Sequence, residues 1–142
     1  MLATMLAYVG LFVISFLAAT LLPLGSELPL AVLVRAEGRL VLPVAVATAG
    51  NVAGSLTTYW LARRAATTLG ARPWSARGEG RAAELWRRHG APSLLLSWVP
   101  LFGDGLVAAA GAAGLPLRTV TPWLIVGKVG RYLVVAWLAL AA

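Results

Sequence analysis

The sequence predicts an all-α polytopic membrane protein: crossing helices plus two re-entrant, proline-broken hairpins arranged as an inverted repeat. Three observations carry this. First, hydrophobic residues make up 60% of the 142 positions and charged residues only 12%, about half the ~25% usual in soluble domains. Second, apolar runs long enough for a bilayer recur along the chain, interrupted by clusters of Pro, Gly and an acid. Third, the second half of the chain echoes the first.

The elements follow in order. Residues 4–34 form one apolar stretch with a single charge, Glu27. A straight helix of that length would reach about 46 Å, beyond the ~30 Å hydrocarbon core. The run must break, and Leu22-Pro23-Leu24-Gly25-Ser26-Glu27-Leu28-Pro29 is where it does. The start resembles a signal peptide, but no basic residue precedes it and no clean A-x-A site comes before Pro23, so it is read as retained. Residues 28–34 make a piece too short to cross, and Arg35-Ala36-Glu37-Gly38-Arg39 reads as a polar turn. Together 23–38 form the first hairpin. Residues 40–62 carry no charge and have the length of a span. Ala45, Ala49 and Ala53, with Gly50 and Gly54, give that helix a small-residue face for close packing, and Asn51 can hydrogen-bond across helices.

Residues 63–90 form a basic loop, in which Arg81–Arg88 reads as a short amphipathic helix. Seven arginines against two glutamates between 63 and 88 account for +5 of the net charge of +7, so the positive-inside rule places this loop in the cytoplasm. Residues 91–117 form the second hairpin, broken at Trp98-Val99-Pro100-Leu101-Phe102-Gly103-Asp104-Gly105. Residues 119–142 are the last crossing helix, with Lys128 and Arg131 in its middle third. The whole is one membrane domain in two halves, 1–62 and 91–142, joined by the basic loop.

The halves align at a shift of 77 residues: 23–62 and 100–139 share 11 of 40 positions. Pro23 falls on Pro100, Glu27 on Asp104, Gly50 on Gly127 and Trp60 on Trp137. If each broken segment returns to its own side, a single crossing separates the repeats and they are inverted, an arrangement typical of secondary transporters.

Candidate functional residues follow from the cost of charge in lipid. Glu27 and Asp104, each four residues after a proline, are candidates for proton coupling. Against this, Glu27 could cap the next short helix, and Asp104 between two glycines is ordinary turn chemistry. Lys128 and Arg131 share a helix face and are candidates either for an anionic headgroup or for counter-charges to the acids. Pro23, Pro29, Pro100 and Gly103 mark the hairpin tips. Tyr59 and Trp60 read as interface anchors.

Cysteine is absent and His89 is the one histidine, which leaves no thiol chemistry and no metal set. No HExxH, P-loop or GxGxxG motif is present. An enzyme is not expected, nor a cofactor, and the sparse charge excludes a nucleic-acid surface.

These motifs resemble a known family. Pro23–Glu27, Gly50–Gly54 with Tyr59-Trp60-Leu61, Ser97–Asp104 and Gly127–Tyr132 are, in order and spacing, similar to the DedA (VTT) superfamily, in its small YqaA-type branch. The resemblance covers nearly the whole chain. It implies an inner-membrane protein with two opposed re-entrant hairpins and a role in moving lipids between leaflets, in a family linked to undecaprenyl-phosphate recycling, phospholipid scrambling and the proton-motive force. By position, Glu27 corresponds to the acid of the first hairpin, Asp104 to an acid of the second, Gly50 and Gly54 to the close-packed helix, and Arg131 to a basic residue of the last helix. The chain departs from the family pattern where many members carry two arginines around the second-hairpin proline: Trp98 and Gly103-Asp104 stand there instead.

The expected function is therefore that of a lipid transporter or flippase. Membrane lipids with an anionic headgroup, and protons, are its expected partners, with a homodimer as a further candidate. The alternatives are a non-transporting assembly or stability factor, and a small multidrug-type antiporter. The antiporter is disfavoured by the proline-marked acids.

Overall fold

The computed structural model describes residues 1–20, 25–70, 88–99 and 102–142. Among these the chain is helical throughout: α1 (Leu2–Thr20), α2 (Glu27–Glu37), α3 (Val41–Thr68), a 3-10 helix (Ala91–Trp98), α4 (Phe102–Ala112) and α5 (Leu117–Ala141). Pro23, Pro100 and the helix expected at 81–88 lie outside the described residues, apart from Arg88 at its end.

Three of the helices, α1, α3 and α5, are long and apolar enough to cross a membrane. At 1.5 Å per residue they span about 28, 42 and 37 Å, so α1 just matches the hydrocarbon core and the other two exceed it. The excess on α3 is explained by sequence. The helix runs through Arg63 and Arg64 to Thr68, beyond the expected end at 62, so its last turns are charged and belong outside the apolar layer. The basic loop therefore begins as helix. By contrast α2 and α4 have 11 residues each, about 16 Å, half a bilayer.

Local chemistry sets the ends of the short helices. Pro29 is the third residue of α2, where the missing N–H has no intrahelical partner to lose. It starts the helix rather than breaking it. The expected turn at 35–39 is a correction: Arg35, Ala36 and Glu37 form the last turn of α2. Gly38 then ends it in the left-handed conformation (φ 60°), its N–H donating to Val34 O at 2.9 Å, the geometry glycine supplies without a Cβ penalty. The described part of 23–38 is thus a single helix. In the second broken segment the helix restarts at Phe102, so Gly103, Asp104 and Gly105 belong to the first turn of α4 and not to a loop. Pro122 lies inside α5, a position tolerated in membrane helices where neighbours satisfy the freed carbonyl.

The helices fall into two compact units. The first comprises Met1–Gly54 and Lys128–Ala142, the second Ser55–Gly127. Each therefore takes one broken segment plus part of α3 and part of α5. The first unit has a core of Leu11, Leu30, Val34, Val44, Ala47, Tyr132 and Ala136. Within it α1 and α3 approach to backbone contact: a Cβ on Gly50 would collide with Phe12 O, and one on Gly54 with Phe16 O. The four-residue step is the same on both helices, as the small-residue face of α3 predicts. In the second unit Gly111 meets the Tyr59 carbonyl in the same way, and a Cβ on Gly103 would lie 2.5 Å from the Ser97 backbone. The 3-10 helix is thus folded against α4.

Candidate functional site

The first unit holds a polar cluster in an otherwise apolar interior. It begins where α2 begins. Glu27 is the first residue of that helix, where the helix dipole favours a negative charge. Its Oε1 is ion-paired with Arg131 of α5, both side chains mostly buried. The carboxylate also folds back over Gly25: a Cβ there would lie 2.7 Å from Glu27 Oε2, so a glycine makes room for the turn. Ser26, at the N-cap, does not cap with its side chain. Its hydroxyl instead lies 2.6 Å from the Tyr132 hydroxyl, and both groups are buried. Arg131 also stands 5.9 Å from the centre of the Tyr132 ring, within cation–π range.

Lys128, Arg131 and Tyr132 lie three and four residues apart on α5, hence on one face. Lys128 is completely buried and partnered. On α3, Asn51 is 2% exposed, and its Nδ2 donates to Ser15 O of α1 at 3.2 Å. Ser15 and Asn51 both lie beside the Tyr132 hydroxyl. At another point of the unit, the Tyr8 hydroxyl donates to Glu37, joining α1 to the end of α2.

The second unit holds Asp104. It is the third residue of α4, again in the first turn, and Ser55 Oγ of α3 donates to it over a long 3.4 Å. Further along α3, Tyr59 is fully buried. Its hydroxyl donates to Leu115 O and accepts from Arg63 Nη1 at 2.8 Å. Arg63 also lies 5.8 Å from the Trp60 ring centre. The interface-anchor reading therefore suits Trp60, which is 48% exposed, and is corrected for Tyr59, which is a buried lock between α3 and the segment after α4.

The sequence-predicted residues thus divide between the units. Glu27, Arg131, Lys128, Pro29, Gly50, Asn51 and Gly54 belong to the first, Asp104 and Gly103 to the second. Glu27 and Arg131 are brought together, while Asp104 accepts from Ser55. The sequence reading missed the hydroxyl groups: Ser15, Ser26, Ser55 and Tyr132. One signal was available for two of them. At the 77-residue shift Ser55 falls on Tyr132, so the acid of each half contacts the crossing helix of the other half at equivalent positions, give or take one residue. No group of three or more His, Asp or Glu side chains able to hold a metal occurs among the described residues.

The chain is 39% identical over 133 residues to the inner membrane protein YqaA of Escherichia coli, covering 92% of this chain and 89% of that protein. It is equally similar to inner membrane protein YqaA of Shigella flexneri. An uncharacterized protein of Haemophilus influenzae is 34% identical over 145 residues, covering 91% of this chain and 85% of the relative. No family model and no solved structure matches significantly.

Proposed function

The chain belongs to the family of the inner membrane protein YqaA and is itself an inner-membrane protein, and from this premise we propose that it moves an anionic lipid between the leaflets, coupled to protons at Glu27 and Asp104. The observation that carries the reading is the Glu27–Arg131 ion pair at the start of a helix too short to cross. Charges inside a membrane protein mark pathways by default, and broken helices with their N-termini inside the bilayer are where transporters hold anionic groups. The resemblance to the DedA superfamily supplies the lipid as substrate class.

The chemistry is an exchange of partners at Arg131. With Glu27 ionised, carboxylate and guanidinium neutralise each other. A proton taken by Glu27 removes the negative charge and frees the planar fork of Arg131 for a headgroup phosphate, which it suits bidentately. Loss of the proton restores the pair and displaces the headgroup. Lys128 adds positive charge on the same helix face. Asp104, in the first turn of α4, is the equivalent carboxylate of the second unit. No step needs a nucleophile or a cofactor, in keeping with a carrier rather than an enzyme.

The test is lipid translocation in vesicles reconstituted with the purified chain, read by dithionite quenching of a fluorescent anionic lipid. Glu27→Gln, inserted at normal level, is expected to lose translocation at least tenfold. Full activity in that variant sinks the reading. A second reading, a non-transporting stability factor, draws on the backbone-level packing at Gly50, Gly54 and Gly111 and treats the ion pair as structural. It requires that a Glu27→Gln/Asp104→Asn double variant still complement a deletion strain.

A further inference from the structure

The second unit carries a half-buried cation, Arg63, whose partners among the described residues are neutral. Its Nη1 donates to the Tyr59 hydroxyl at 2.8 Å, and its guanidinium lies 5.8 Å from the Trp60 ring centre, within cation–π range. Side chains on a helix lean toward its N-terminus, so Arg63 reaches back over residues three and four earlier. Tyr59 holds it there. That side chain is fully buried, and its hydroxyl is committed to Leu115 O. Trp60 stands edge-on to Tyr59, the rings 5.7 Å apart at 88°. The guanidinium is therefore fixed at the depth of these two rings, and the Tyr59 bond uses only one of its five N–H donors.

That depth is the membrane surface. Residues 41–62 carry no charge and make about 33 Å of helix, close to the ~30 Å hydrocarbon thickness. Arg63 is the first charge after them. Trp60 and Leu61 are exposed beside it, as suits residues at headgroup level. Two further cations stand at this end of the unit. Arg64 follows on α3, and Arg118 comes three residues after the Leu115 carbonyl that Tyr59 holds; both are exposed. The one acid among the described residues of this unit, Asp104, accepts from Ser55. Ser55 lies eight residues before Arg63 on α3, about 12 Å deeper in the bilayer.

We propose that Arg63, Trp60 and Arg118 form a site for the phosphate of an anionic phospholipid in the cytoplasmic leaflet. The planar fork of Arg63 takes the phosphate oxygens. Arg118 adds a second positive charge, of the kind an anionic leaflet attracts. Trp60 and Leu61 meet the apolar part of the same lipid. Through Tyr59, the bound headgroup braces α3 against the segment after α4. The site lies in the other unit from the Glu27–Arg131 pair, and it requires neither proton coupling nor transport.

The test uses the purified full-length chain in phosphatidylcholine–detergent micelles. Phosphatidylglycerol is added, and binding is read as the rise in melting temperature and as retained lipid in native mass spectrometry. The unsubstituted chain is expected to gain stability. Arg63→Gln should lose that gain and retain roughly tenfold less phosphatidylglycerol, the weight of hydrogen bonds to a charged group. Arg118→Gln, at an exposed position, should weaken retention several-fold. Arg35→Gln, the same charge change on α2, is the control and should keep the full gain. An undiminished gain in Arg63→Gln overturns the site; if that variant fails to fold, an undiminished gain in Arg118→Gln does so. Equal stabilisation by added phosphatidylcholine overturns it, because the headgroup charge is then not read. Equal stabilisation by soluble glycerol phosphate also overturns it, because the ligand is then a free phosphate. A gain that survives Arg63→Gln and vanishes in Arg131→Gln moves the lipid to the Glu27–Arg131 pair, which overturns this site and favours the function proposed above.

Discussion

Glu27 and Arg131 are ion-paired across the fold, the acid at the first position of α2 and the base in the middle of α5. The pair ties a helix of half-bilayer length to one that crosses. Removing one partner leaves a mostly buried charge uncompensated, at a cost on the order of 3 kcal/mol. Arg131→Gln alone should therefore destabilise by about that much, measured by unfolding in mixed micelles. Arg131→Gln combined with Glu27→Gln should recover most of the loss. A double variant as unstable as the sum of the two singles shows that the residues are not coupled.

Gly50 and Gly54 should be intolerant of alanine, against the usual helical preference. Alanine gains about 1 kcal/mol over glycine inside a helix, but here the added Cβ meets the backbone of α1 at Phe12 and Phe16. Overpacking of this kind costs typically 1–3 kcal/mol, and a rigid backbone puts it at the upper end. Gly10 and Gly130, where an added Cβ meets nothing within 4 Å, are the controls. Thermal unfolding should place Gly50→Ala and Gly54→Ala below the unsubstituted chain, with Gly10→Ala and Gly130→Ala level with it or above.

What the sequence disclosed follows physical lines. The close approach of α3 was legible because only small residues permit it, and Ala and Gly at four-residue spacing have few other uses in a membrane. That Glu27 needs a partner was legible from the cost of charge in lipid. That Arg131 provides it was not, because Lys128 shares the face and only the rotation and tilt of α5 decide which side chain reaches α2. The turn-chemistry alternative for Asp104 rested on its flanking glycines, whereas in the structure those glycines are helical and Gly103 permits contact with Ser97. Tyr59 was misread because a tyrosine with a polar tip and an apolar ring suits both an interface and a buried lock. Single serines in apolar runs carry no periodic signal, which is why Ser15 and Ser26 emerged only from the structure, whereas Ser55 is marked in the sequence by its repeat partner Tyr132.

Tyr59 gives a direct check of its corrected role. Tyr59→Phe leaves Leu115 O without its donor and frees Arg63 from the hydroxyl. The loss of a buried hydrogen bond with an acceptor left behind is worth about 1–3 kcal/mol. Trp60→Phe changes only a half-exposed ring and should fall within about 0.5 kcal/mol of the unsubstituted chain. Equal effects of the two substitutions in a thermal unfolding series contradict the buried-lock assignment.

Membrane topology is the last test and the one nearest to function. The chain has no cysteine, so single cysteines report without background. Ala36 and Arg88 are both exposed. Ala36 precedes α3, and Arg88 lies in the basic stretch that the positive-inside rule assigns to the cytoplasm. Because α3 is a full span between them, Ala36→Cys should label from outside in intact cells and Arg88→Cys only after permeabilisation. Pro116→Cys, at the exposed end of the second broken segment, then decides the repeat. The 3-10 helix and α4 are each too short to cross alone. If the chain turns back between them, position 116 shares the side of position 88, a single crossing separates the two broken segments, and they are inverted as a transporter requires. If 88 and 116 label from opposite sides, the two pieces together make a crossing, and the inversion argument for transport falls.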